Sequence, residues 1–77
     1  MINSVQCKMA RAALGWSIQN LAKSARVGIA TIVRFEGGKA DTIPATTEAI
    51  QRALEAAGIE FKQDGSVRLL GASDAQP

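Results

Sequence analysis

Few residues in this chain of 77 amino acids could take part in catalysis or metal binding. There is one cysteine, Cys7, and no histidine. Without a histidine or a second cysteine, the chain lacks a zinc ligand set, an internal disulfide and a histidine base for nucleophilic catalysis. It also lacks the glycine–lysine loop that holds nucleotide phosphates. We therefore expect neither an enzyme nor a site for a metal or cofactor, and an inert, partly buried Cys7 thiol.

The charged residues are distributed unevenly, although the net charge is only +2. The segment up to residue 39 carries +5, and the segment from residue 40 onward carries −3. The cations of the first segment are Lys8, Arg11, Lys23, Arg26, Arg34 and Lys39, and its single acid is Glu36. A basic half joined to an acidic half is expected where one face meets a polyanion, but two independently solvated faces give the same pattern.

The length of the chain allows one domain with a thin core, so pairing with a second copy would add stability. No apolar run is long enough to span a membrane. The first residues lack the apolar segment of a secretory signal, and a lone cysteine suits a reducing compartment. We expect a cytoplasmic protein that does not bind membranes.

Apolar spacing predicts four helices, leaving room for a fifth, and a mainly α fold. The first follows Asn3 or Ser4 as N-cap and ends at Gly15. Its predicted inward stripe consists of Val5, Met9, Ala12 and Ala13. The second begins after Ser17 as N-cap, with an inward stripe of Ile18, Leu21, Ala22 and Ala25.

The third helix is predicted from about Gly28 to Glu36, with Ile32 and Phe35 facing inward. The fourth begins near Pro44, which is tolerated in a first turn, and ends before Gly58. Its inward stripe is Ile50, Ala53, Leu54 and Ala57.

Residues 59–62 and 66–69 alternate between apolar and polar side chains around Asp64-Gly65, a sequence typical of hairpin turns. A strand or hairpin should therefore follow the fourth helix. Residues 1–70 are interpreted as one domain, and residues 71–77, which are small and polar, as a disordered tail.

The second and third predicted helices form the most informative unit. Only about three residues join them, so they must cross steeply, and the position at the crossing must be small, as Ala22 is. Such a crossing holds the third helix away from the body, where it could enter a major groove about 12 Å wide.

At this point the chain resembles a known family, the Cro and phage-repressor type helix-turn-helix regulators, or Xre family. The residues that carry the resemblance are Arg11, Leu14-Gly15-Trp16-Ser17, Leu21-Ala22, Val27, Thr31-Ile32 and Arg34-Phe35-Glu36-Gly37. The tract from Ala53 to Phe61 is similar to the following segment of many short bacterial members. The chain departs from the family at Arg26, where glycine is usual, at Ile18 in place of glutamine, and at Gly28 in place of serine. A positive φ is expected at Arg26.

The resemblance implies a DNA-binding regulator whose third helix reads bases. The base contacts it implies are Gly28, Ile29, Ala30, Val33 and Arg34. Arg34 could bind guanine with two hydrogen bonds, and the apolar residues could touch thymine methyls. Alternatively, Ile29 and Val33 are core residues and Arg34 is merely solvated. The expected phosphate contacts are Ser17, Lys23, Thr31 and Lys39.

The resemblance also implies a partly buried ion pair between Arg11 and Glu36. Physical chemistry gives weaker support: Glu36 is at a helix C-terminus, where the dipole disfavours an acid, so a cationic partner would compensate. Trp16 is expected in the core.

A dimer would read a palindrome, and an isolated hairpin is marginal in water, so the C-terminal strands are the expected dimerisation element. Phe61, Val67 and Leu69 would supply its apolar face, unless they pack on the fourth helix of their own subunit. The lead hypothesis is a dimeric repressor that binds double-stranded DNA. The alternatives are the antitoxin of a toxin–antitoxin pair and a module that binds a protein, such as an antiactivator, through the apolar residues of the third helix.

Overall fold

The computed structural model describes residues 2–38 and 43–70. They form four α-helices and a C-terminal hairpin in one mainly α domain, as predicted. The elements are α1 (Ser4–Leu14), α2 (Ile18–Ala25), α3 (Ile29–Glu36), α4 (Pro44–Ala56), β1 (Ile59–Phe61) and β2 (Val67–Leu69). The predicted tail, residues 71–77, lies outside the described residues.

Local sequence signals account for where the first two helices begin and end. Asn3 caps α1 and forms a reciprocal capping box with Gln6, in which each side chain bonds the other residue's backbone N–H. Gly15 ends α1 in the left-handed conformation, at φ 69°. A second capping box, Ser17 with Asn20, begins α2.

The core is assembled from one face of each helix and from the first strand. Its fully buried large side chains are Leu21, Ile32, Ile50, Leu54 and Cys7. The inward residues predicted for α3, Ile32 and Phe35, are confirmed as buried. Trp16 is half-buried and packs against this core.

The stripe predicted for α1 is wrong. Val5 and Met9 are 58% and 40% exposed, and Ala12 and Ala13 are also exposed. The buried residues of α1 are Gln6, Cys7 and Ala10. Both faces of this helix carry apolar side chains, and the core uses the face of Cys7 and Ala10, whose small side chains let α1 approach its neighbours closely. Cys7 is accordingly fully buried, not partly buried as expected.

The two strands pair antiparallel, with Ile59 opposite Leu69 and Phe61 opposite Val67. Strand β1 packs against α4, and β2 packs against α1. Phe61 and Val67 are half-buried against the core of their own subunit. Packing on the fourth helix is the alternative considered for the predicted dimerisation residues, and it holds for β1, which carries Phe61, whereas β2 packs against α1. Of the three residues, only Leu69 is classed as exposed.

None of the helices in residues 2–38 and 43–70 is long and apolar enough to cross a membrane.

Candidate nucleic-acid interface

The connection between α2 and α3 is a tight turn of three residues, Arg26 to Gly28. Arg26 occupies the left-handed region at φ 60°, as the sequence analysis predicted. The N–H of Val27 donates to the carbonyl of Ala22 at 3.0 Å, which closes the end of α2. Ala22 itself is buried, and α2 packs against α3. The turn therefore fixes α3 firmly against α2.

The outer face of α3, defined here as Ile29, Ala30 and Val33, is exposed, and Arg34 beside it is exposed as well. Ile29 and Val33 are 49% and 51% exposed, so they are not core residues. Thr31, on the flank of the helix, is half-buried. Exposed β-branched side chains on a helix whose other face is fully buried form an apolar surface with no packing role in this chain.

Gly28 precedes α3 as its N-cap and provides no side-chain cap. Its φ of −70° suits any residue, so the glycine is not required by the backbone conformation. A Cβ added there would be 3.7 Å from the Thr31 hydroxyl, an ordinary contact. The backbone at the start of α3 is therefore open to close approach by a ligand.

Exposed cations accompany this outer face. Lys23 lies on α2, Arg26 lies in the turn, and Arg34 belongs to α3 itself; all three are exposed. Lys39, a further predicted phosphate contact, lies outside the described residues. No acidic residue occurs in the segment from α2 to Phe35, and Glu36, the first one after it, is buried. The outer face of α3 is thus bordered by positive charge.

The side chain of Ser17, predicted to bind a phosphate, is already engaged within its own helix terminus. Its hydroxyl accepts from the N–H of Asn20 at 3.1 Å and lies 3.0 Å from the Asn20 Oδ1. Its own N–H donates to Asn20. The unused donors at this terminus are the first backbone N–H groups of α2, those of Ile18 and Gln19, which lack intrahelical acceptors. A phosphate would bind these amides before the Ser17 hydroxyl.

The predicted ion pair between Arg11 and Glu36 is present. The guanidinium binds both carboxylate oxygens, at 2.8 and 2.9 Å, and also donates to the carbonyl of Trp16 at 3.0 Å. Glu36 is buried, whereas Arg11 keeps partial access to solvent. This pair connects α1 directly to the end of α3.

The Cys7 thiol completes this buried group, a contact that the sequence interpretation missed. Its Sγ donates to Glu36 at 3.3 Å. Burial, the hydrogen bond to Glu36 and the charge of Glu36 raise the pKa of Cys7 to about 12, against a smaller opposing effect of Arg11. The thiol therefore stays protonated and unreactive at neutral pH. The i, i+4 spacing of Cys7 and Arg11 was the available signal, because it places both on one face of α1.

Comparison of the chain with models of protein families, with curated proteins and with solved structures found no match. In the described part of the chain, no three acidic, cysteine or histidine residues are grouped so that they could hold a metal ion.

Proposed function

We propose that this chain is a sequence-specific DNA-binding regulator, a small dimeric repressor in the cytoplasm that inserts α3 into the major groove. The observation that carries the proposal is the outer face of α3. This face is apolar and half exposed, and the cations Lys23, Arg26 and Arg34 border it. The opposite face of the same helix is buried in the core. The resemblance to Cro-type regulators supports the same assignment.

The chemistry of this face suits base readout. Arg34 provides the fork of donors that binds the O6 and N7 of guanine, and Ile29 and Val33 provide methyl groups that suit thymine. Gly28 and Ala30 are small, so the backbone can lie close to base edges. Thr31 on the flank, Lys23 and Lys39 would contact phosphates together with the N-terminal amides of α2.

The proposal is tested with a pool of random duplexes, selected on the immobilised full chain and sequenced. We expect enrichment of a palindrome, since a two-fold pair of α3 helices reads two half-sites. Binding of the selected duplex should weaken steeply with added salt, with a slope of about −0.9 per neutralised phosphate in a plot of log K against log salt. No enrichment, together with salt-independent binding, would contradict the proposal.

A second candidate function uses the same surface to bind a protein, as an antiactivator does. It is favoured by the half-exposed Ile29 and Val33, because an apolar patch on a small protein often marks a partner site. Val33→Ala separates the candidates when combined with salt. A protein contact would lose affinity on truncation and change little with salt, whereas a DNA contact would respond to both. An antitoxin would combine the two activities, with repression of its own operon through α3.

A further inference from the structure

The outer face of α1 is a second apolar surface that the core leaves uncovered. Val5, Met9, Ala12 and Ala13 recur at helical spacing on this face. All four are exposed, and none of them carries charge. An amphipathic helix normally buries its apolar stripe, and α1 has a second one directed away from its own domain.

The strand beside α1 also has an unused edge. In the hairpin, the N–H of Lys62 donates to the carbonyl of Ser66, and the N–H of Leu70 donates to that of Gly58. In an antiparallel pair, hydrogen-bonded pairs alternate with non-bonded pairs, so Val67 and Leu69 occupy non-bonded positions. Their backbone N–H and C=O groups point away from β1. Within residues 2–38 and 43–70, these groups have no hydrogen-bond partner.

We infer that the outer edge of β2 and the outer face of α1 together bind a second copy of this chain across a two-fold axis. We call this surface the α1–β2 patch; it consists of the exposed side chains of Val5, Met9, Ala12, Ala13 and Leu69 and of the outward backbone groups of Val67 and Leu69. The inference deepens the proposed function, because a palindromic site requires two copies, but it stands on separate observations.

The helix half of the patch is complementary to itself. Its larger side chains, Val5 and Met9, come first, and its alanines come last. When two copies of α1 pack antiparallel about an axis near Met9, Val5 of each copy meets Ala13 of the other, and the two Met9 side chains meet at the axis. Small residues let helix backbones approach closely, so both ends of the contact pack without a gap.

The strand half of the patch is self-complementary as well. Antiparallel pairing of β2 with its copy aligns Val67 with Leu69 of the second copy, so all the outward backbone groups gain partners. This register sets the two Arg68 side chains opposite each other, and like charges in that position repel. Each Arg68, however, already lies 4.0 Å from Glu60 of its own hairpin. The result is a row of four charges, with the two Arg68 side chains in the middle and a Glu60 at each end, and this row has no net charge.

The exposure of Leu69 agrees with this arrangement. Leu69 lies on the same face of the hairpin as Ile59, its cross-strand partner. Ile59 is buried, whereas Leu69 remains 36% exposed. The core therefore covers the apolar face of the hairpin at Ile59 but leaves part of it exposed at Leu69, on the strand that packs against α1. A second copy packed across the two-fold axis would bury the exposed part of Leu69.

Sedimentation of the full chain without DNA tests the inference. We expect the wild-type chain to sediment as a dimer and Met9→Glu as a monomer, with a dimer dissociation constant raised at least about tenfold. Val5→Glu should act in the same way, and both variants should keep the helical circular dichroism of the wild type because both positions are exposed. Val33→Glu is the matched control: it places the same charge on an equally exposed apolar residue of α3, and it should remain a dimer.

Amide hydrogen exchange identifies the strand contact. In the wild-type dimer, the amides of Val67, Arg68 and Leu69 should all be protected, and Met9→Glu should expose Val67 and Leu69 while Arg68 stays protected by β1. A monomeric wild type, or a Met9→Glu variant that still dimerises with both amides protected, would overturn the inference. Either result leaves half-site binding by α3 open to its own test. Conversely, loss of DNA binding in Val33→Glu, with the dimer intact, bears on α3 alone.

Discussion

Helices α1 and α3 both expose apolar outer faces to a similar degree, but the groups beside those faces differ. Exposed cations border the face on α3, namely Lys23, Arg26 and Arg34. The face on α1 borders an open strand edge, and one exposed cation, Lys8, lies beside it. An exposed apolar helix face therefore does not indicate its partner by itself. The neighbouring groups do: cations favour a polyanion, and unpaired backbone groups favour another strand.

The largest expected effect comes from the ion pair that joins these two helices. Glu36→Ala removes a buried carboxylate and leaves Arg11 and the Cys7 thiol without their acceptor. Breaking a buried pair costs about 3–5 kcal/mol, and partial solvent access of Arg11 favours the lower end of that range. Thermal unfolding should show a decrease of about 4–8 °C in Tm per kcal/mol for a domain of this size.

The control for Glu36→Ala is Glu48→Ala, which breaks an exposed pair. Glu48 lies 3.4 Å from Arg52 on the surface of α4, and both side chains are largely exposed. Exposed pairs of this kind contribute only about 0.2–1 kcal/mol to the free energy of unfolding. Equal decreases in Tm for the two variants would show that burial of Glu36 contributes nothing, and that α1 and α3 are not coupled through it.

Much of the fold could be predicted because its boundaries depend on local chemistry. Gly15 and Gly58 mark helix ends through left-handed geometry, and Asp64-Gly65 marks the hairpin turn. Ser17 marks a helix start because a hydroxyl can cap unbonded N–H groups. Each of these signals acts within a few residues, so no knowledge of the tertiary structure is needed to interpret it.

The orientation of α1 could not be predicted, because it depends on contacts distant in sequence. Val5 and Met9 are more apolar than Gln6 and Ala10, so apolar spacing alone selects the wrong face. Gln6 is buried because it completes the capping box, and Cys7 because it meets Glu36, 29 residues away. For the candidate site, the resemblance supplied Arg11, Glu36 and α3. It could not reveal that Asn20 already engages Ser17.

The next largest effect distinguishes the two outer faces by their response to DNA. Arg34→Ala should cost about 1–3 kcal/mol of binding free energy on the selected duplex and relax the preference at one base pair in each half-site. Lys8→Ala removes an exposed cation from α1 and should change affinity little. Fluorescence anisotropy on duplexes mutated at single positions measures both. If Arg34→Ala lowered the affinity equally for all duplexes, Arg34 would contact a phosphate and not a base.

A smaller effect is expected at the turn that positions α3. Arg26→Gly relieves a left-handed conformation that costs roughly 1–2 kcal/mol for a residue with a Cβ, although glycine loses more entropy on folding. A net stabilisation of up to about 1 kcal/mol should follow.

Arg26→Gly at this turn is compared with the opposite kind of change at the end of α1. Gly15→Ala, the matched control, introduces a Cβ at φ 69° and should destabilise the chain by about as much. Chemical denaturation measures both changes. If Arg26 contacts a phosphate, Arg26→Gly will also weaken DNA binding at low salt while stability rises. A loss of stability in Arg26→Gly would contradict the strain at this turn.

The smallest effect concerns the start of α3, which is the only one of the first three helices without a side-chain cap. Gly28→Ser introduces a hydroxyl that can accept from the N–H of Thr31, and the added Cβ meets only an ordinary contact. Because serine exceeds glycine by only a few tenths of a kcal/mol at an N-cap, the increase in Tm should be about one to three degrees. Ser17→Gly makes the reverse change at α2 and should lower Tm by a similar amount. If Gly28→Ser lowers Tm instead, the added side chain does not fit, and the fold requires a glycine at this position.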